Sequence, residues 1–143
     1  VNLRSLEIFD APIASVAPIS ALILLTKLKL SQVPVVDFLP LSGLALLADL
    51  DLSNTGIEAL TPISNLRQLK KLNISGTNLK TLKGLESLNE LEELDVASTN
   101  LRSLKPIDGL INLKRLSCFN TNLSTRAVDS FKSNHPDCEV RFY

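Results

Sequence analysis

Few side chains in this sequence are suited to catalytic chemistry: there is one histidine, His135, and there are two cysteines, Cys118 and Cys138. His135 and Cys138 lie three residues apart, and on a strand this spacing directs them to opposite faces. A nucleophilic Cys–His pair needs the two groups within hydrogen-bonding reach. The spacing therefore favours a structural histidine and a buried thiol, and we expect no enzymatic activity.

Phosphate and metal chemistry are not supported by any motif. The sequence has no glycine-rich phosphate loop and no set of His, Cys, Asp and Glu at metal-ligand spacing. We expect no cofactor, no metal and no small-molecule substrate. The formal net charge is +0, with 15 basic and 15 acidic residues, which argues against nucleic acid as a partner. The sequence has no apolar run long enough to predict a membrane span.

A 22-residue repeat organises the chain. In each of six units the first, fourth, sixth and eleventh positions are apolar, whereas the third and fifth are polar. The alternation around positions four and six predicts a short strand with one buried face, and the fixed period predicts a solenoid of stacked units. The first positions are Leu3, Leu25, Leu47, Leu69, Leu91 and Leu113.

The pattern L-x-x-L-x-L-x-x-T-x-L resembles the leucine-rich repeat family, in the short class typified by bacterial internalins and phosphatase-regulatory subunits. The resemblance covers residues 3–123 and implies an α/β solenoid, with a curved parallel sheet on the concave face and 3₁₀ or irregular turns on the convex side. The family's usual ninth-position asparagine, which bonds loop backbone along the stack, is replaced by Ala11, Val33 and then threonine. Because only the threonines can hydrogen-bond, we expect side-chain bonds along the stack in the later repeats alone. The threonines are Thr55, Thr77, Thr99 and Thr121.

Prolines recur at the same position of the return path, with Gly84 in the one slot that lacks a proline. Proline fixes φ and has no N–H, so this position suits the start of a short 3₁₀ turn. The prolines are Pro18, Pro40, Pro62 and Pro106.

The repeat pattern changes after Leu123. Ser124 and Thr125 are good N-cap residues, and the apolar spacing that follows predicts a helix over about residues 125–133. The segment CEVRFY then predicts a final strand in which Cys138 and Val140 resume the fourth and sixth positions. We therefore expect one leucine-rich repeat domain over 1–143, with a helix–strand cap over 124–143.

We expect the first repeat to lack a polar cap within this sequence. Val1 leads directly into the first repeat, and no methionine precedes it. Terminal repeats of solenoids need a polar cover. We expect the chain to be an excerpt of a longer protein with a cap or further repeats upstream, or else an end-to-end contact with another copy.

The two cysteines are predicted to lie on neighbouring strands, offset by two residues. Their Cα atoms would then be about 8 Å apart, which is beyond disulfide reach. We expect two reduced, buried thiols, which weakly favours a reducing compartment such as the cytoplasm. A cell-surface or secreted protein remains compatible with the same residues.

Two columns of charge follow from the period. The third positions alternate in sign, which predicts a ladder of ion pairs that could also serve as a charged binding strip. They are Lys27, Asp49, Lys71, Glu93, Arg115 and Asp137. The fifth positions are mostly acidic: Glu7, Lys29, Asp51, Asn73, Asp95, Ser117 and Glu139.

The seventh positions are predicted to face solvent. They are small in the middle repeats and aromatic at Phe9 and Phe119, so a partner could approach the strands between two aromatic anchors. The predicted partner-binding residues are Phe9, Asp51, Ser53, Ser75, Asp95, Ala97 and Phe119. A lateral edge also carries a basic patch, either solvated surface or a site for an acidic partner: Lys80, Lys83, Arg102 and Lys105.

These observations predict a non-catalytic protein–protein interaction module that binds a protein through its concave face. Two alternatives remain open. The chain could be a regulatory segment of a larger multidomain enzyme or signalling protein, or a fragment of a bacterial surface adhesin.

Overall fold

The computed structural model describes residues 2–143; Val1, from which we predicted direct entry into the first repeat, lies outside the described residues. Seven parallel strands form one sheet whose order is the chain order. This confirms the predicted parallel solenoid. The strands are β1 (Ser5–Phe9), β2 (Lys27–Ser31), β3 (Asp49–Asp51), β4 (Lys71–Asn73), β5 (Glu93–Asp95), β6 (Arg115–Ser117) and β7 (Glu139–Arg141).

The strands from β1 to β6 pair without a slip of the repeat. Leu50 is opposite Leu28 on one side and Leu72 on the other, and Leu94 is opposite Leu116. A slip of one residue would turn every fourth-position leucine to the solvent, so burial of this row fixes the register.

The return paths contain short 3₁₀ turns, and the predicted prolines are their second residues. The return path between β4 and β5 has no such turn, and it has Gly84 at the proline position. The φ of this glycine is +111°, which proline cannot adopt, and a Cβ there would lie 3.2 Å from the Leu60 carbonyl carbon. The 3₁₀ turns are Ala17–Ala21, Leu39–Gly43, Thr61–Ile63 and Lys105–Ile107.

The predicted C-terminal helix is confirmed as α1 (Thr125–Asn134). The Ser124 hydroxyl accepts a hydrogen bond from the Ala127 N–H at 3.1 Å, as an N-cap residue should. Val128 and Phe131 are the buried side chains of the helix. Together α1 and β7 close the C-terminal end of the core.

The predicted phase of the last strand is wrong by two residues. Leu116 pairs with Val140, so Val140 takes the fourth position in place of Cys138. An α-helix rises 1.5 Å per residue and a 3₁₀ helix about 2.0 Å, so the helical return path needs more residues to cover the same length. The third and fifth positions of this unit are therefore Glu139 and Arg141 rather than Asp137 and Glu139.

The first repeat contributes less to the core than the others do. Leu3 is exposed, whereas Leu6, Ile8 and Ile13 are only half-buried. The corresponding residues of the middle repeats are fully buried. Hydrophobic stabilisation scales with the area removed from water, so the N-terminal unit is the least stabilised part of the sheet.

Candidate protein-interaction surface

One face of the sheet, here called the concave face, displays the third and fifth positions of the strands. It encloses a recess of about 330 Å³ that crosses β3 to β7. Asp51 and Asp95, two of the predicted partner-binding residues, line this recess, and so do the third-position residues Lys71, Glu93 and Arg115. The other predicted partner-binding residues lie outside its lining.

The predicted charge ladder is present in the centre of the concave face. Lys71 Nζ lies 3.2 Å from Glu93 Oε1, and the Arg115 guanidinium bonds the same oxygen from the other side. Burial alone would raise the pKa of Glu93, but the hydrogen bonds from Arg115 and Lys71 outweigh it and hold the pKa below its ordinary value. The single carboxylate of Glu93 is thus shared by two cations, and the triad carries a net charge of +1.

The ladder changes partners at both ends. Lys27 Nζ pairs at 2.8 Å with Glu7 of the preceding strand, and its hydrogen bond lowers the pKa of Glu7. At the C-terminal end Glu139 pairs with Arg141 of its own strand at 2.9 Å, although it lies opposite Arg115. The third column alternates in sign throughout, but its ion pairs do not always join neighbours in that column.

The fifth-position acids have a structural role that the sequence analysis missed. Pairing of β1 with β2 continues through Phe9 and Ser31, whereas the ladder between β4 and β5 is interrupted after the fifth position. The Ile74 N–H still donates to the Asp95 carbonyl and the Gly76 N–H to the Ala97 carbonyl, but the bond between them, from the Ala97 N–H to the Ile74 carbonyl, is missing. Instead Asp95 Oδ1 accepts the Ala97 N–H at 2.9 Å. The Thr77 hydroxyl donates to the Ile74 carbonyl at 2.8 Å. Two side-chain bonds thus replace one ladder bond.

The same replacement recurs in neighbouring repeats. Asp51 and Asn73 accept the N–H two residues later at 2.9 and 3.0 Å. Thr55, Thr99 and Thr121 donate to the carbonyl three residues earlier at 2.7, 2.7 and 2.8 Å. Each threonine bond stays inside its own repeat, so the expectation that these bonds run along the stack is wrong.

The residue after each seventh position adopts a left-handed conformation, with φ between 47° and 66°. Such a value is uncommon for residues other than glycine, although asparagine and aspartate tolerate it better than most. The turn reverses the chain away from the sheet immediately after the side-chain caps. The residues are Asp10, Gln32, Asn54, Gly76, Ser98 and Asn120.

The expectation that the seventh positions face solvent holds only in part. Phe9 is 63% exposed and Phe119 is 41% exposed, as predicted. Ser53 and Ala97 are buried, although both were predicted to face solvent. Ser75 is half-buried.

Asp95 is the fifth-position acid with the most distinct environment. Burial raises its pKa, the bond from the Ala97 N–H opposes that rise, and the charge of Asp51 adds to it. Asp51 Oδ2 lies 3.9 Å from Lys29 Nζ, a loose pairing. Within residues 2–143 Asp95 lines the recess and forms no ion pair.

The groups first considered for catalysis lie at the C-terminal end of the core. His135 is buried and stacks on Phe131 with ring centroids 4.0 Å apart, and its Nδ1 lies 3.1 Å from the Phe131 carbonyl. Burial raises the pKa of Cys118 to about 11 and also raises the pKa of Cys138. Both cysteines are free, but Cys138 is half-buried and not a core residue, contrary to the prediction. Neither thiol is the activated thiolate that nucleophilic chemistry needs.

Over residues 2–143 no group of three or more His, Cys, Asp or Glu side chains could hold a metal ion. In the same range, no helix has the length and apolar character required to cross a membrane.

Solved structures provide the comparison with known proteins. An internalin C2 (inlC2) from Listeria monocytogenes is 27% identical to this chain with a TM-score of 0.90, over 97% of this chain and 60% of its own length. A leucine-rich repeat protein from Leptospira interrogans is 26% identical with a TM-score of 0.90, over 99% of this chain and 37% of its own length. An internalin (inlF) from Listeria monocytogenes is 22% identical with a TM-score of 0.84, over 97% of this chain and 47% of its own length.

This chain therefore spans between 37% and 60% of the length of these solved proteins. No family model and no curated protein matched the sequence. The in-register parallel sheet, the 3₁₀ return paths and the similarity to these structures show that the chain has the leucine-rich repeat fold.

Proposed function

We propose that the chain is a non-catalytic protein-binding module whose partner docks on the concave face. The recess of about 330 Å³ across β3 to β7 is the observation that supports this best. Its walls are side chains on neighbouring strands of one hydrogen-bonded sheet, which holds them more firmly than loops would. A surface that is ordered before binding loses little conformational entropy when a partner docks.

The charges of the recess suggest what the partner would present. In the central triad, Glu93 is already occupied by Lys71 and Arg115 and offers no free carboxylate to a partner. Asp95 and Asp51 line the recess and each use Oδ1 to accept a backbone N–H, while Asp51 Oδ2 is only loosely paired with Lys29 at 3.9 Å and Asp95 forms no ion pair within residues 2–143. A partner with Lys or Arg side chains over these two acids would therefore gain charge-assisted hydrogen bonds.

Apolar anchoring would come from the ends of the surface. Phe119 and Phe9 are exposed aromatic side chains, the type that most often dominates protein interfaces. Ser75 is half-buried and would contribute a small polar contact. Ser53 and Ala97 are small and buried, so they would not contact much of a partner but would let it approach the backbone between Phe9 and Phe119.

The test begins with capture of partners on the immobilised chain, followed by calorimetry with the purified partner. Phe119→Ala is expected to weaken binding by about 1–3 kcal/mol. The double variant Asp51→Asn with Asp95→Asn removes both charges but keeps the backbone caps, since Asn73 makes the same cap in the intervening repeat. It should weaken binding most at low salt, because screening already reduces the charge contribution at high salt.

The matched control is Ile111→Ala, which removes another exposed apolar side chain at a distance from the recess. It should leave the affinity unchanged. Equal affinities for the wild type, Phe119→Ala and the double asparagine variant would place the partner elsewhere and contradict the proposal.

A further inference from the structure

The lateral surface is formed by the residues that follow the strands in repeats 2 to 5. It differs from the concave face in whether its cations form ion pairs. Every Lys and Arg of strands β2 to β7 forms an ion pair. The four cations of the lateral basic patch are all exposed, and among residues 2–143 none of them lies within ion-pair distance of an acid. The four are Lys80, Lys83, Arg102 and Lys105. A charged patch without internal partners attracts groups of opposite sign from solution.

The backbone beneath this patch is held in place by side-chain hydrogen bonds. The Lys83 N–H donates to the Thr81 hydroxyl at 3.1 Å, and the Lys105 N–H donates to the Ser103 hydroxyl at 3.2 Å. Glu86, the nearest acid in sequence to Lys83, is engaged elsewhere, because its Oε2 accepts the Gly84 N–H at 2.7 Å. Gly84, which stands where the other repeats have proline, thus supplies the backbone N–H that binds the Glu86 carboxylate.

The same positions are apolar two repeats earlier. Val36 and Leu39 correspond to Lys80 and Lys83 in the repeat, and they are 74% and 61% exposed. The Leu39 N–H is held by Asp37 Oδ1 at 3.0 Å, as the lysine N–H groups are held by hydroxyls. The lateral surface therefore runs from an apolar end in repeat 2 to a basic end in repeats 4 and 5.

Shallow depressions connect the two ends. One of about 310 Å³ is lined by Val36, Glu58 and Ala59. A second of about 450 Å³ shares Glu58 and reaches Lys80 and Thr81. A third of about 400 Å³ shares Ala59 and Thr81 and reaches Lys83. Shared lining residues make these depressions one continuous lateral groove.

We infer that this lateral groove binds an extended polypeptide segment of a partner protein, with an apolar side chain on Val36 and Leu39 and acidic side chains on the basic patch. Three repeat steps separate Val36 from Arg102, about 14 Å at the spacing of neighbouring strands. An extended segment covers that distance in about four residues. The occupant is thus an acidic segment with an apolar residue about four positions from its acids.

Two other anionic partners fit the surface less well. The apolar and basic ends are separated along the solenoid, and the groove between them contains Glu58, so a flat anionic membrane would meet an acid between its two contacts. No aromatic side chain lies among the four cations, and single-stranded nucleic acid relies on aromatic stacking.

The experiment titrates the ¹⁵N-labelled chain with synthetic peptides and follows amide chemical shifts. The probes are Gly/Ser peptides that carry one leucine and, about four residues away, three glutamates, made in both chain directions. Peptides with glutamine for glutamate, or serine for leucine, are the ligand controls. Val36→Ser with Leu39→Ser tests the apolar end, and Lys83→Glu with Lys105→Glu tests the basic end. Ile111→Ser and Arg126→Glu with Lys132→Glu are matched surface controls.

With at least one peptide direction, we expect shifts confined to the lateral groove. Each lateral double variant and each control peptide should bind at least about tenfold more weakly, and the surface controls should bind within about twofold of the wild type. Asp51→Asn with Asp95→Asn should not affect this binding, which separates it from the proposed concave-face function. The inference is overturned by an absence of saturable shifts at millimolar peptide, or by shifts centred on the concave face. It is also overturned if phosphatidylserine vesicles or a single-stranded oligonucleotide bind the groove more tightly than the peptides do.

Discussion

The paired caps that replace a ladder bond between β4 and β5 give a prediction that single substitutions cannot test. Asp95→Ala leaves the Ala97 N–H without its acceptor, at a cost of about 1–2 kcal/mol. Thr77→Val preserves volume but leaves the buried Ile74 carbonyl without its donor, at a cost of about 1–3 kcal/mol. If the two losses were independent, the double variant would lose about 2–5 kcal/mol.

They should not be independent, because the two orphaned groups are ladder partners. Asn73 is opposite Asp95, so the next bond in register joins the Ala97 N–H to the Ile74 carbonyl. Pairing of β1 with β2 already continues this far, through Phe9 and Ser31. We expect the double variant to extend the sheet by that bond and to be at least about 1 kcal/mol more stable than additivity predicts.

The measurement is urea unfolding of the four proteins of the cycle, followed by circular dichroism, with equal m-values as the check on cooperativity. The control cycle combines Asp95→Ala with Thr55→Val, whose hydroxyl caps a carbonyl one repeat away. That pair should be additive within about 0.5 kcal/mol. If both cycles are additive, the Ala97 N–H and the Ile74 carbonyl do not bond each other when their side-chain partners are removed, and the reasoning is refuted.

Three other changes test the stability of the array. Val33→Thr should stabilise the chain by about 0.5–1.5 kcal/mol, because β2 to β3 pairing also stops early and Val33 cannot donate to the Leu30 carbonyl; loss of stability in urea melts would contradict this. Leu72→Ala should cost about 2–5 kcal/mol and Leu6→Ala less, since Leu6 is only half-buried; equal losses in the same melts would show that the first repeat is as well packed as the fourth. Stability should fall as pH rises from about 9 to 11, because the pKa of Cys118 is raised from 9.0 to about 11 and only the unfolded thiol ionises in that window; Cys118→Ala should show a flatter pH dependence, and an unchanged slope would exclude this thiol as the source.

The sequence predicted the architecture because the apolar positions alone determine it. Leu50 and its equivalents define the buried row, and a strict period keeps that row in register from β1 to β6. The phase of β7 could not be obtained in this way, since it depends on the length of the helical return path. An α-helix rises less per residue than a 3₁₀ helix, so the last return path needs more residues than the others. Taking this difference into account would have placed Val140, and not Cys138, at the fourth position.

Of the seven residues predicted to bind a partner, two line the recess, and the hydrogen bonds that these two make were not predicted. Asp51 and Asp95 do line the recess on the concave face. Their backbone caps were missed because an acidic column suggests a binding surface more readily than it suggests a strand terminus. A signal was available in the sequence: Asp, Asn and Asp at the fifth position coincide with Thr at the ninth, and side chains of this type commonly bond nearby backbone. Of the lateral surface, only the basic patch was predicted from the sequence.

Because the third-position charges alternate in sign, removing an odd number of repeats would bring like charges onto neighbouring strands, whereas removing an even number would not. Removing the single repeat that begins at Leu47 would bring Lys27 beside Lys71, and like charges would then face each other on neighbouring strands. Removing that repeat together with the next one would bring Lys27 beside Glu93 and preserve the alternation. A pair of repeats can therefore be duplicated or deleted with the alternation of charge preserved, whereas a single repeat cannot.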